Sequence, residues 1–378
     1  MREFKTLSLL TIAEFLGGLG LLLVGAEVLV RGAARLAAAV GISSLVVGLT
    51  VVAIGTSAPE LAVTIKSGLS GKSDIGLGNL IGSNICNILL VLGLSAVIGQ
   101  LGVATQIVRI DIWVMILAGV AVASMSIDGV VDRLDGVVLA TGAVAYTMFC
   151  IYVSRRENAR INAAYAKEFG GPKTPMPTSW LWNGVLVAGG LGLLVLGADW
   201  LVDAAVALAR SIGMSQRVIG LTVVAIGTSA PEIATSVMAG LKGQRDIAVG
   251  NVIGSCVFNL LAILGLGAVA SPGGLLVSRA AMMFDIPVMM ASAFLCIPVF
   301  FTGLRIARLE GLLFLLYYAA YTTYLVLDAK HSRSMDDYRT VMLYGVIPCS
   351  LVPVGLSVTR SLRAARQRSR QGSTTERT

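Results

Sequence analysis

The sequence predicts an all-α integral membrane protein that consists of two inverted five-helix repeats followed by an eleventh C-terminal span. Three observations lead to this prediction. The 378-residue chain is 56% hydrophobic and only 13% charged, which is about half the charge that soluble domains carry. Its apolar residues fall into eleven runs separated by polar breaks. A long segment also recurs almost unchanged 172 residues further along the chain.

The apolar runs form two sets of five and one extra run. A transmembrane helix needs about 20 predominantly apolar residues, and most of the runs have that length. The first five lie near residues 8–36, 41–69, 75–101, 108–127 and 134–154. The next five lie near residues 180–209, 213–241, 246–270, 281–303 and 309–328. These runs predict a first repeat at 1–154, a cytoplasmic linker at 155–178, a second repeat at 179–328, an extra span at 341–358 and a basic, disordered tail at 359–378.

The two sets of five runs are copies of one another. Residues 48–60 read GLTVVAIGTSAPE, and residues 220–232 repeat the same thirteen letters at an offset of 172. The same offset aligns residues 17–30 with 189–202, and residues 78–93 with 250–265. Because each repeat has an odd number of spans, the second crosses the membrane in the opposite sense to the first. Secondary transporters of this plan bind their substrate between the repeats, near the membrane midplane.

Basic residues predict the orientation of the chain. If loops alternate between the two sides, the side of the 155–178 linker carries 12 Lys and Arg residues and the other side carries 11. The tail adds six arginines to the linker side when 341–358 spans the membrane. Basic loops stay in the cytoplasm, so we expect an outside N-terminus and a cytoplasmic C-terminus in a prokaryotic-type plasma (inner) membrane. The net charge of +8 is then a topology signal and predicts no nucleic-acid partner.

Two glutamates in the middle of apolar runs form the candidate functional centre. Glu60 and Glu232 end the two copies of the repeated segment. An ionised side chain at membrane depth costs at least about 2.5–3.5 kcal/mol. The runs place Lys66 and Lys242 toward their ends and no basic residue beside either glutamate. We therefore expect both carboxylates to meet a cation that does not belong to the chain.

The residues before each glutamate predict a break in the helix. Pro59 and Pro231 lack an amide donor and clash with the carbonyl four residues back, which frees carbonyls near Thr56 and Thr228. Irregular backbone at membrane depth is tolerated where it lines a cavity or is buried in protein. Carbonyls, hydroxyls and carboxylates from both repeats would form an all-oxygen cage, which is the ligand set that hard cations such as calcium prefer.

The next run of each repeat adds a hydroxyl and an amide. The serine and the asparagine are four positions apart, so each pair shares one helix face: Ser83 and Asn87, Ser255 and Asn259. These groups either hold helices together or line the cage. Each asparagine lies 27 positions after the glutamate of its own half, and this equal spacing favours the cage. Asn84 is replaced by Cys256 in the second half, so we expect that position to flank the site.

The duplicated G-T-S-A-P-E segments, followed by G-S-N-I-C-N and G-S-C-V-F-N, resemble the two alpha-repeats of the cation/calcium antiporters, the sodium/calcium exchanger superfamily. The resemblance covers residues 8–328. It implies that Glu60 and Glu232 ligate calcium and share in sodium binding, and that Thr56 and Thr228 offer carbonyls to calcium. It also implies a set of sodium ligands, which are the hydroxyls of Ser57, Ser83, Ser229 and Ser255 and the carbonyls of Ala53 and Ala225.

The chain departs from this family at the two asparagines. Many members have asparagine in one half and aspartate in the other, whereas Asn87 and Asn259 are both amides here, which leaves two carboxylates in the cage. Potassium-dependent relatives carry aspartate at the position of Asn259, so the resemblance argues against potassium co-transport. The run at 341–358 also exceeds the ten spans usual in the family.

These features together predict a secondary antiporter, not an enzyme, that exchanges calcium for sodium. Competition for one cage, with spans 1 and 6 sliding against the rest, would couple the two ions without ATP. A calcium/proton antiporter remains an alternative because each carboxylate can also take a proton. A cation channel is the remote alternative, since a pore would not couple two ions. The expected partners are calcium, sodium and the lipid bilayer, with no permanently bound cofactor, and the oligomeric state stays open.

Overall fold

The computed structural model describes residues 9–40, 42–71, 73–169, 180–211, 225–301 and 303–329, together with residues 338, 340 and 342. The first half of the chain begins with a long helix and a bent pair of shorter ones: α1 (Leu9–Val40), α2 (Ser44–Val47, π-helical Gly48–Val52 and Ala53–Thr56) and α3 (Ala58–Leu69). Three more helices complete it: α4 (Ser73–Ile85, π-helical Cys86–Leu92 and Gly93–Ile98), α5 (π-helical Ile107–Asp111 and Ile112–Met125) and α6 (Arg133–Phe169).

The second half repeats this order of elements. It comprises α7 (Trp180–Ser211), α8 (Ala225–Thr228), α9 (Ala230–Leu241), α10 (Arg245–Phe258, π-helical Asn259–Ile263 and Leu264–Ala270), α11 (π-helical Ala281–Asp285 and Ile286–Phe301) and α12 (Arg308–Ala329). Four two-residue strands lie between helices: β1 (Leu101–Gly102), β2 (Val130–Val131), β3 (Leu275–Leu276) and β4 (Arg305–Ile306).

The described helices confirm a multi-pass membrane protein. Eight of them are long and apolar enough to cross a membrane, and the bent pair α2–α3 makes a ninth candidate. The run at 213–241 lies partly outside the described residues, and the run at 341–358 lies outside them except for Met342, so the count of eleven spans stays a prediction. Helix α6 continues to Phe169, so the first part of the predicted linker is helical, although the apolar span ends at Arg156.

Helices α4 and α10 form the centre of the molecule. In the membrane-spanning windows of these helices, 72% and 83% of the residues are buried, compared with 28% in α1 and in α7. Four cysteines of the described residues, Cys86, Cys150, Cys256 and Cys296, are free and buried.

Helices α1 and α7 cross in close antiparallel contact through glycine. A Cβ added at Gly18 would lie 2.8 Å from the Gly197 carbonyl oxygen, and one added at Gly190 would lie 2.9 Å from the Gly25 carbonyl oxygen. The offset of 172 relates Gly18 to Gly190 and Gly25 to Gly197, so the two contacts are equivalent. Without side chains at these positions the two backbones approach closely, as membrane helices do at small residues.

Further contacts between the halves also occur in equivalent pairs. Strand β1 pairs antiparallel with β4, and β2 pairs antiparallel with β3.

Within each half, a buried or half-buried aspartate of the fourth span accepts a hydrogen bond from a tyrosine of the fifth. Tyr146 Oη donates to Asp111 Oδ1 at 3.0 Å, and Tyr321 Oη donates to Asp285 Oδ1 at 3.1 Å. The duplicated sequence therefore folds into duplicated contacts.

We predict that Gly190→Ala destabilises the contact between α1 and α7. The added Cβ would lie 2.6 Å from the Leu29 amide nitrogen, where only backbone could move, and overpacking of this kind costs about 1–3 kcal/mol. The midpoint of thermal unfolding in detergent should fall. The matched control is Gly192→Ala on the same helix, where nothing lies within 4 Å of the added Cβ; equal midpoints for the two variants would contradict the prediction.

Candidate cation site

The candidate site lies where the repeated segments interrupt their helices. In the first half, α2 and α3 meet at an angle of 45°, and Ser57 between them has φ −84° and ψ 13°. Ser229 adopts nearly the same backbone, φ −85° and ψ 6°, between α8 and α9. Pro59 and Pro231 lie in the first turn of the helix after each break, where proline is tolerated because its missing amide needs no partner.

Each glutamate is hydrogen-bonded by serines of both halves. Glu60 Oε1 accepts from Ser83 Oγ at 3.0 Å and from Ser229 Oγ at 3.5 Å. Glu232 Oε1 accepts in the equivalent way from Ser57 Oγ at 2.8 Å and from Ser255 Oγ at 3.4 Å. Ser83 Oγ and Ser229 Oγ lie 3.1 Å apart, which connects the two halves into one cluster. All six side chains expected at its centre therefore come together.

The two threonines contact asparagines of the opposite half. Thr56 Oγ1 donates to Asn251 Oδ1 at 3.1 Å, and Thr228 Oγ1 donates to Asn79 Oδ1 at 3.4 Å. Asn79 and Asn251 are equivalent positions that the sequence analysis did not select. The sequence contains a pattern that could have identified them, because both are amides inside apolar runs and both lie in the aligned G-N-x-I-G-S segment.

Asn87 and Asn259 lie in π-helical turns of α4 and α10, a distortion that is frequent at functional sites. Asn259 Nδ2 donates to Ser83 Oγ at 3.4 Å and to Asn84 Oδ1 at 3.2 Å. Asn84, expected at the flank, thus accepts a hydrogen bond from Asn259. Asn87 is fully buried, and neither of its polar atoms has a hydrogen-bond partner among the described residues.

The alanine positions lie beside the breaks. Ala53 begins the short segment Ala53–Thr56, and its carbonyl oxygen accepts the Ser57 amide at 3.1 Å. Ala225 begins the equivalent segment Ala225–Thr228. The Ala53 carbonyl is therefore already used once by the backbone.

The cluster has the chemistry of a site for a positive ion. Glu60 and Glu232 are both 0% exposed, and the described residues provide neither with an ion-pair partner. Buried polar groups are normally satisfied, yet one oxygen of each glutamate and the Asn259 amide oxygen have no hydrogen-bond partner in the part of the chain that the structure describes. In the described part of the chain, no group of three or more Asp, Glu, His or Cys side chains could hold a metal ion. The free oxygens of this cluster suit a hard cation.

Comparison with known proteins identifies the family. The family model described as sodium/calcium exchanger protein matches residues 10–152 and 182–327, which is most of the chain. This chain belongs to the sodium/calcium exchanger family. It is accordingly a membrane antiporter of the cation/calcium superfamily, and the two matched segments correspond to the two halves described above.

Individual relatives agree with this assignment. The chain is 37% identical to the putative antiporter CaxA of Alkalimonas amylolytica over 80% of this chain and 95% of that protein. It is 30% identical to the sodium/calcium exchanger MaX1 of Methanosarcina acetivorans, again over 80% and 95%. Among solved structures, one of the sodium-calcium exchanger NCX_Mj superimposes with a TM-score of 0.71 and 31% identity, over 83% of this chain and 98% of that one.

We predict that Glu60→Gln and Glu232→Gln each abolish calcium binding. A ligand that binds only the folded protein raises its unfolding midpoint, so calcium should stabilise the wild-type protein in detergent and leave both variants unchanged. Asp111→Asn is the control, because it neutralises a buried carboxylate that is bonded to Tyr146 and not to the cage. If calcium still stabilises both glutamine variants, the cluster does not bind calcium.

Proposed function

We propose that this antiporter exchanges calcium for sodium through the duplicated all-oxygen cage around Glu60 and Glu232. One observation carries the proposal: two fully buried carboxylates are held by hydroxyl groups of both halves, and the described chain offers them no cation. Two carboxylates balance the charge of one calcium ion. Sodium ions would use the same oxygens, so that occupancy by one kind of ion excludes full occupancy by the other.

Within this proposal each oxygen type keeps the role that the family resemblance gave it. Calcium would bind Glu60, Glu232 and the carbonyls of Thr56 and Thr228, with the amides Asn87 and Asn259 completing the cage. Sodium ions would bind the serine hydroxyls together with the carbonyls of Ala53 and Ala225. The buried, unpartnered oxygens of the glutamates and of Asn259 support this assignment.

We further propose that the two halves are inverted and that α1 and α7 slide against the remaining helices. The antiparallel crossing of these two equivalent helices supports inversion. Their position also supports a role in access, since Leu191 and Val202 of α7 pack directly against Gly55 and Gly227 beside the cage. A shift of α7 along its axis would move these contacts and thereby change which face of the cage is covered.

The names of the relatives support sodium as the counter-ion. MaX1 and NCX_Mj are both called sodium/calcium exchangers. An inner-membrane location is supported by the inner membrane protein YrbG of Escherichia coli, which is 37% identical over 70% of this chain and 81% of its own length. Proton exchange is the second candidate, favoured by one observation: each glutamate retains an oxygen without a hydrogen-bond donor, to which a proton can bind.

Reconstituted liposomes distinguish the two counter-ions. We predict that vesicles loaded with sodium at equal pH inside and outside accumulate radioactive calcium when diluted into sodium-free medium, and that potassium does not alter the rate. Vesicles with a pH gradient but no sodium should show no uptake above the Glu232→Gln control. Uptake that follows the pH gradient and ignores sodium would refute sodium coupling and establish proton exchange.

The orientation can be tested with reporter fusions. We predict that green fluorescent protein is fluorescent when fused after Thr378, because the C-terminus is cytoplasmic, and is dark when fused after Lys330, on the opposite side of the proposed eleventh span. The reporter folds in the cytoplasm but not after export through the general secretory route, so it records the side directly. Fluorescence of both fusions would exclude a span at 341–358.

A further inference from the structure

The Ala53 carbonyl oxygen has one lone pair left for a cation, and a nearby hydroxyl competes for it. A carbonyl oxygen has two lone pairs, and the Ser57 amide at 3.1 Å uses one of them. Thr56 Oγ1 lies 3.4 Å from the same oxygen. If the Thr56 hydroxyl donated its proton there, both lone pairs would be occupied, and the oxygen would be a weaker ligand.

Asn251 offers this hydroxyl a second acceptor. Its Oδ1 lies 3.1 Å from Thr56 Oγ1, which is 0.3 Å closer than the Ala53 carbonyl. A hydroxyl has one proton to donate, so a bond to Asn251 takes the proton away from Ala53. Ala53, Thr56 and Asn251 are all buried.

The amide of Asn251 is itself held in this orientation. Its Nδ2 donates to Ser236 Oγ at 3.0 Å, which leaves Oδ1 on the side of Thr56. Asn251 and Ser236 belong to the second half, whereas Thr56 and Ala53 belong to the first. The equivalent bond from Thr228 to Asn79 shows that the arrangement is part of the duplicated architecture.

We propose that Asn251 is a positioning residue for sodium: it accepts the Thr56 proton and thereby keeps the Ala53 carbonyl available to the ion. The inference rests on the proposed function, in which Ala53 ligates sodium. Calcium should depend on it much less, because its ligand in this segment is the Thr56 main-chain carbonyl. Asn251 would thus tune the competition between the two ions without touching either.

The test compares sodium and calcium affinities of reconstituted Asn251→Leu. We expect the sodium concentration for half-maximal exchange to rise about three- to tenfold, the range that the loss of one hydrogen bond gives. The half-saturating calcium concentration and the maximal rate should stay within about twofold. Asn183→Leu is the matched control, because Asn183 is a buried amide of α7 whose polar atoms have no hydrogen-bond partner; it should leave the sodium dependence unchanged.

A second substitution separates this role from a structural one. Thr56→Val removes the competing proton itself, so Thr56→Val combined with Asn251→Leu should restore sodium affinity to near the wild-type value. A purely structural role for Asn251 predicts the opposite, a double variant at least as impaired as the single one. If Asn251→Leu does not fold, Asn251→Ala takes its place, because it removes the same acceptor oxygen and should raise the half-maximal sodium concentration in the same way.

The inference is overturned if Asn251→Leu weakens sodium and calcium equally, if it changes neither, or if Thr56→Val fails to restore sodium affinity. The proposed function fails separately, when the wild-type protein shows no sodium-driven calcium uptake. If the wild-type protein is coupled to sodium and Asn251→Leu has an unchanged sodium affinity, only the role of Asn251 is rejected.

Discussion

The structure depends on one constraint, the satisfaction of two buried carboxylates by hydroxyl groups that come from both halves of the chain. Glu60 is bonded by a serine of its own half and by Ser229 of the other, and Glu232 is bonded reciprocally by Ser255 and Ser57. Neither half could build this arrangement alone. The broken helices, the π-helical turns and the glycine contacts all bring these few polar atoms together at the interface. Because hydroxyl donors do not cancel charge, the proposed cage would still need a cation, whereas an arginine side chain would have supplied a permanent one.

The duplication made most of this site predictable from the sequence. Glu60 and Glu232 stood out because a charged residue in an apolar run is costly, and the serines stood out because they recur at the same offset. The helical class and the membrane spans followed from the apolar runs. Apolar runs predict the part of a helix inside the membrane and not its full length, however, which is why helix α6 extends to Phe169 through residues that the composition assigned to a linker.

What could not be predicted is the pairing between halves. Thr56 and Asn251 are 195 positions apart, and no local pattern indicates that their side chains meet. The same holds for Asn84. Its replacement by cysteine in the second half indicated a flanking position, but its amide oxygen accepts a hydrogen bond from Asn259. The π-helical turns around Asn87 and Asn259 were also invisible, because a single extra residue in a turn leaves the apolar pattern nearly unchanged. Each of these features needs the relative placement of helices, which local sequence periodicity does not contain.

The halves carry the same types of polar residue in the proposed cage but hold them differently. Asn259 is bonded to Ser83 and Asn84, whereas Asn87 has no hydrogen-bond partner among the described residues. Glu27 of α1 forms an ion pair with Lys242, while the offset of 172 places Asp199 and Ser70 at the equivalent positions. Under the proposed inverted arrangement, the two access states differ by exchanging the conformations of the halves. Every contact that only one half makes then contributes to the free-energy difference between those states, and that difference sets their populations. In the proposed cage, the same ligand types in both halves would accept the same ions from either side, while the unequal surroundings would determine which side is more often open.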